Sequence, residues 1–233
     1  MTQATKQILD SLTDPTDALR ALRLQINLRD LVKQFTENAD ALAKLAASTQ
    51  KHDNGFDKIV LCSSASTGLK LVLHLWHADG ITDEDNIHDH RWDFASVVLR
   101  GQLQCDIYQL EPTGDHYSTF SYESSGGAET YVFRPTGTTT AVKRVALTIA
   151  SSSTYTWGHP ILHRAYAIAS SATATIVVQG PPVRTATRVL LRARRPMQAH
   201  NSVQRLGTPE LTRVIGILDD PDIQHAWQHV SHG

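Results

Sequence analysis

A chain of 233 residues, 41% hydrophobic and 19% charged, can bury a sizeable core, as one domain with appendages or as two small ones. Its 22 basic and 23 acidic residues leave a net charge of −1, which argues against a dedicated nucleic-acid binder. Two cysteines, Cys62 and Cys105, are too few for a disulfide framework, so reduced structural thiols are expected. The opening MTQATKQILDSL has no apolar signal core, and no run approaches the roughly 18 apolar residues that span a bilayer. A cytoplasmic protein with neither membrane nor nucleic acid as partner is the expectation.

Residues 2 to about 50 read as helix. Asp14-Pro15 is a cap followed by proline at the first helical position, a start signal. Leu19, Leu22, Ile26, Leu31, Val32 and Phe35 then recur at helical spacing among charged residues. This amphipathic preface, residues 1–54 as a unit, is expected to lie against the outside of the main domain; a partner or homodimer surface is the alternative. The polar KHDNG linker (Lys51–Gly55) ends it.

After the linker the texture changes. Short Val-, Ile-, Leu-, Thr- and Tyr-rich segments follow at close spacing: Lys58–Ser63, Leu69–His77, Phe94–Arg100, Gln102–Leu110, Tyr117–Tyr122, Thr130–Phe133, Val142–Ile149, Ser153–Trp157, His163–Ala169, Thr173–Gln179 and Thr187–Arg192. Loops are expected at Asp79–Asn86, Glu111–Asp115, Ser124–Gly127, Pro135–Thr139 and Gly180–Pro182. Residues 55–195 thus read as an all-β sandwich or barrel. The tail, residues 196–233, turns helical: Thr208-Pro209-Glu210 is a start signal, and a last segment sets His225 and His229 four apart on one face. Without a third ligand that pair reads as a fraying amphipathic end.

The chemistry concentrates in Asn86–Gly101, NIHDHRWDFASVVLRG. On one β-strand His88 and His90 would face the same way, about 7 Å apart, and could approach one metal ion as neutral imidazoles. Trp92 and Phe94 would follow them, while Asp89, Arg91, Asp93 and Ala95 would face away, Asp89 and Asp93 as surface or salt-bridge residues. Downstream, Trp157–Arg164 offers His159 and His163 as a third ligand. His159 precedes Pro160, which favours a loop entering the strand; His163 begins a run whose same-face members, Ala165, Ala167 and Ala169, leave room beside an ion. His163 is therefore the preferred ligand. On the preceding strand His74 shares a face with Lys70, Val72 and Trp76, which makes it a candidate acid–base or substrate contact. Arg184, Arg188, Arg192, Arg194 and Arg195 form the one basic cluster, read as a solvated edge that could attract an acidic substrate or partner.

This combination resembles the cupin superfamily: a His-x-His motif near the start of a small β-barrel, a glycine closing that strand (Gly101), then a proline and a later histidine. Within it the chain is most similar to the thiol dioxygenases, of which cysteine dioxygenase is the familiar member, over residues 56 to 190. The matching stretches are Leu73-His74-Leu75-Trp76, Ile87–His90, Leu99–Leu103, Leu162-His163-Arg164 and Pro181-Pro182. The resemblance implies a mostly β, jelly-roll cupin barrel with helical extensions. It further implies a three-histidine Fe(II) centre at His88, His90 and His163, acting on a small molecule with O2. Zinc, manganese or nickel are the alternative ions, for isomerase, lyase or hydrolytic work; a non-catalytic small-molecule-binding cupin is the third reading. The glutamate that many cupins add four residues after the second histidine is Phe94 here. The thiol dioxygenases' carboxylate-binding arginine has no match around Ile59–Ser63, where Cys62 sits. Their Ser-x-His-x-Tyr group falls on Ile176–Gly180, and the cysteine crosslinked to that tyrosine on Ala95 or Ser96. With those groups missing, purified protein loaded with iron is expected to convert free cysteine to its sulfinate no faster than iron in buffer, a comparison chromatography of the products settles.

Overall fold

The computed structural model describes residues 3–52, 54–77, 86–124, 130–168, 172–192 and 200–229. The first of these form four short helices rather than one continuous run: α1 (Gln3–Ser11), α2 (Pro15–Gln25), α3 (Leu28–Thr36) and α4 (Ala39–Ala46). The breaks fall where capping side chains stand. Asp14 accepts from the Thr16 and Asp17 amides at the start of α2, Asn27 from Arg29 at α3 and Asn38 from Ala41 at α4. No helix among the described residues is long and apolar enough to cross a membrane.

The remainder is mostly β, two antiparallel sheets of six strands facing each other as in a cupin-like sandwich. The first runs in the order β1 (Thr49–His52), β2 (Phe56–Ser63), β3 (Lys70–Trp76), β10 (Thr173–Gln179), β5 (Phe94–Arg100), β8 (Thr154–Trp157). The second runs β11 (Thr187–Leu191), β4 (Ile87–His88), β9 (Leu162–Ala167), β6 (Gln102–Ser124), β7 (Thr130–Ala150), β12 (His200–Ser202). Every residue of β10 is buried, because its sheet is covered on both faces. Ile176 and Val178 point outward into a core shared with the helices, and Val177 points inward between the sheets. The C-terminal helices α5 (Thr208–Gly216) and α6 (Pro221–Gln228) enter that same outer core through Leu211, Val214, Ile215 and Trp227. Both helical ends of the chain therefore form one layer over the first sheet.

Several expectations change. Asn86–Gly101 is not one strand: β4 ends at His88 in the second sheet, Asp89–Asp93 turn a corner, and β5 begins at Phe94 in the first sheet. The chain crosses back at Gly101, whose φ of +74° and close approach to the Thr173 hydroxyl leave no room for a side chain. Glu111–Asp115 and Pro135–Thr139, expected as loops, lie inside the long hairpin β6–β7, the first as a bulge. Pro135 lies opposite Phe120 beside a register shift, and β12 reaches no further than Val132, so this stretch of β7 has a partner on one edge only. Gly207, not Thr208, caps α5, and a short strand, β12, stands in the tail that read as helical. The turns expected within Asp79–Asn86 and Ser124–Gly127 fall almost wholly outside the described residues, as do Ala169, Arg194 and Arg195.

The layer is locked at its far end by Arg23, buried, which donates to the carbonyls of Ala226, Trp227 and His229 and so completes the C-terminus of α6. Trp227 itself is fully buried and donates its indole N–H to Ile26. Trp227→Ala is expected to cost about 3–5 kcal/mol in urea unfolding. The exposed Leu24→Ala should cost less than about 0.5 kcal/mol in the same experiment.

Candidate metal centre

His88 lies on β4 directly opposite His163 on β9, and His90 follows at the corner. Their ring centroids are 4.7 to 5.1 Å apart, and one donor atom from each lies within 4.8 Å of the others. The Nε2 atoms of His90 and His163 face each other at 3.3 Å. Two nitrogens each about 2.0–2.1 Å from a shared ion sit roughly 3.0–3.4 Å apart. The Nδ1 of His163 meets the Ile161 carbonyl at 3.0 Å, and that of His88 meets the Asn86 carbonyl at 3.2 Å. A carbonyl fixes the proton on Nδ1 and leaves the Nε2 lone pair for a metal. Burial, then the neighbouring imidazoles, push His90 well below the ordinary histidine range and His163 down to about 3, so neither is protonated at neutral pH. The donor set fits a divalent ion, and Phe94, 5.1 Å from His90, supplies no carboxylate.

The corner itself is held from behind. Asp89 is wholly buried rather than exposed; it accepts from the Arg188 amide at 2.6 Å and pairs with the Arg184 guanidinium. Arg184 also donates to the His90 carbonyl at 2.8 Å and to the His159 carbonyl at 3.3 Å. Arg188 pairs with Asp89 at 3.8 Å and Arg192 with Asp115 at 3.4 Å, so these members of the basic cluster serve structure more than a free cationic surface. Asp93 holds His159, accepting from its amide at 2.6 Å and its Nδ1 at 2.8 Å. His159 is thereby turned away from the other three. Arg164 pairs with buried Asp106 at 2.6 Å. His225 and His229 stack at 5.5 Å without a third ligand among the described residues.

The three histidines open into a cavity of about 260 Å³ between the sheets. His74 lines it, resting on Phe56 at 4.5 Å and making no hydrogen bond to a described residue. Burial, then Lys58 and His52, lower its basicity well below the usual value, which suits a neutral hydrogen-bond partner better than a store of protons. Ala165 also lines the cavity, as the small-residue face of β9 requires. Cys62 instead belongs to the outer core, and burial raises both thiols to about 12, which leaves them unreactive. Lining residues that were not foreseen include Lys58 and His52. The alternation of Phe56, Lys58 and Val60 along β2 carried the signal for the first.

No family model and no curated protein matches the chain. Among solved structures, the hydroxypropylphosphonic acid epoxidase from S. wedmorenis is similar at 10% identity, with a TM-score of 0.34 over 54% of this chain and 51% of that one. A β-barrel nucleoside dehydratase is similar at 12% identity, with a TM-score of 0.24 over 71% and 92%. The chain spans about half the length of the epoxidase. Scores this low carry no chemistry across, so the site is argued from its own residues.

Single substitutions separate the two downstream histidines. Metal stoichiometry measured by inductively coupled plasma mass spectrometry is expected to collapse in His163→Ala and in His88→Ala and to persist in His159→Ala, with the circular dichroism of all three unchanged.

Proposed function

We propose that the protein is a cupin-type, non-haem Fe(II)-dependent oxygenase of a small molecule, with His88, His90 and His163 as the ligands. One observation carries this reading: three imidazoles from β4, the corner and β9 bring one ring nitrogen each within 4.8 Å of the others, and no acid lines the cavity among the described residues. A ferrous ion with three neutral ligands would keep its full +2 charge and open positions, and would supply electron transfer between O2 and a chelating substrate. The chain's own part is to hold that chemistry in a small cavity from which aromatic side chains exclude water. Trp157 sits edge-on at 4.5 Å to His163, and Phe94 closes over His90. His74, on the opposite wall, would orient the substrate as a neutral hydrogen-bond partner. Iron is the choice the cupin resemblance favours over zinc, manganese or nickel.

Protein purified without added metal is expected to contain one equivalent of iron, or to take up one under anaerobic conditions, and then to consume O2 with a member of a panel of catechols, keto acids and other small acids. One equivalent of tight zinc with no O2 uptake would turn the assignment to a lyase or hydrolase. No bound metal at all would leave a non-catalytic binding protein.

A further inference from the structure

The cavity holds a cation that nothing described neutralises. Lys58, on β2, points between the sheets, and its ammonium lies 5.6 Å from the centre of the Trp92 ring. It makes no hydrogen bond or ion pair with a described residue. Other basic side chains turned inward are satisfied: Arg23 by three carbonyls, Arg164 by Asp106, Arg184 by Asp89. No aspartate or glutamate lines the cavity among the described residues, whereas Lys58 and Arg91 both do, each near Trp92. Lys58 is partly buried, and an ammonium held against aromatic walls without an ionic partner gives up hydration that an anion would replace.

The walls around Lys58 are aromatic. Its direct cross-strand partner is His74, and on the same face Phe56 pairs with Trp76, their rings 4.3 Å apart. Trp92 neighbours both, its ring 5.6 Å from the lysine ammonium and 5.7 Å from the His90 ring.

We propose that the cavity takes a small, flat or aromatic molecule with a single acidic group, its acid held by Lys58 and its other end reaching His88, His90 and His163. The inference rests on the proposed metal centre for the second end only. Trp92 offers a face along which such a body lies, and His74 is placed to hydrogen-bond the same acid. Burial, then Lys70 and Arg91, bring the ammonium down to about 8, so it remains charged at neutral pH while gaining a strong preference for an anion.

Calorimetric titration of the full-length chain, metal-free and zinc-loaded, with 3-phenylpropionate and its neutral amide tests this. Wild type is expected to favour the acid by about tenfold or more, the usual weight of a hydrogen bond to a charged group. Lys58→Met, which keeps the stem's length against Trp92, is expected to erase the preference, and Lys58→Arg to keep it; zinc stoichiometry should be the same in all three. Equal binding of acid and amide to wild type, a preference that survives Lys58→Met, or binding of neither compound would overturn the proposal. Failure of wild type to take up zinc, with the preference intact in metal-free protein, would instead remove the metal centre and leave the acid site standing.

Discussion

The buried carboxylate of Asp89 is the constraint on which the site depends. The chain must leave the second sheet after His88 and enter the first at Phe94, and the five residues between have no ladder to satisfy their backbone. Asp89 and Arg184 take over that role, with the β10–β11 connection laid along the corner: Gly180 donates to Asp93 at 2.8 Å and Val183 to Arg91 at 2.7 Å. The Gly180 position has no space for a side chain against the Asp93 carbonyl, which lets the two backbones meet. Asp89 is buried while Arg184 stays partly open to solvent, so losing the arginine would strand a buried carboxylate, the costly half of the pair. The corner is stiff for that reason, and His88 and His90 are delivered to His163 by a frame lying behind them.

Much of this was legible in the residues. His-x-His, the closing glycine and the proline after His159 placed three histidines where the structure brings them together, and the apolar segments mark nearly every strand. His88, His90, Trp92 and Phe94 all face the cavity as alternation required, but Arg91, expected to face away, lines it too, because the corner breaks the strand's regular pleat. What periodicity could not report was the change of sheet: an alternating pattern is blind to which partner strand accepts the hydrogen bonds. The same blindness hid the bulge in β6, where polar and glycine residues that usually end a strand are absorbed by its edge partner. Asp89 was expected outside because a charged residue facing away from the cavity normally meets water. Here the face away from the cavity is covered by the Arg184 segment, about ninety residues further along the chain. Lys58 belongs to no motif, since the family pattern calls for an arginine near Ile59–Ser63, yet the face shared by Phe56 and Val60 already includes it.

Electrostatically the interior is one-sided. The imidazoles are kept neutral by burial and by one another, so among the described residues Lys58 brings a cation to the cavity wall that no described acid pairs with. A divalent ion at the three histidines would add to that positive field without an acid to offset it. Neutral ligands thus leave charge balance to whatever enters, which makes an anionic occupant stabilising to the whole barrel as well as to the site.

The two halves of this arrangement belong to different sheets. His88 and His163 stand on the second sheet, while Lys58 and His74 stand on the first, on adjacent strands whose outer face is buried under the helices. Facing sheets are held about 10 Å apart by the side chains between them. In the proposed assignment that separation, rather than any loop, sets the distance between the metal end and the acid end of a ligand. The helical layer enters function at this point: by packing Ile59, Leu61, Leu71 and Leu73 from outside, it fixes the strands that carry Lys58 and His74 and so keeps the span constant. In that assignment the spacing of the packed sheets sets the length of body that can reach both ends at once, so part of the selection lies in the fold itself.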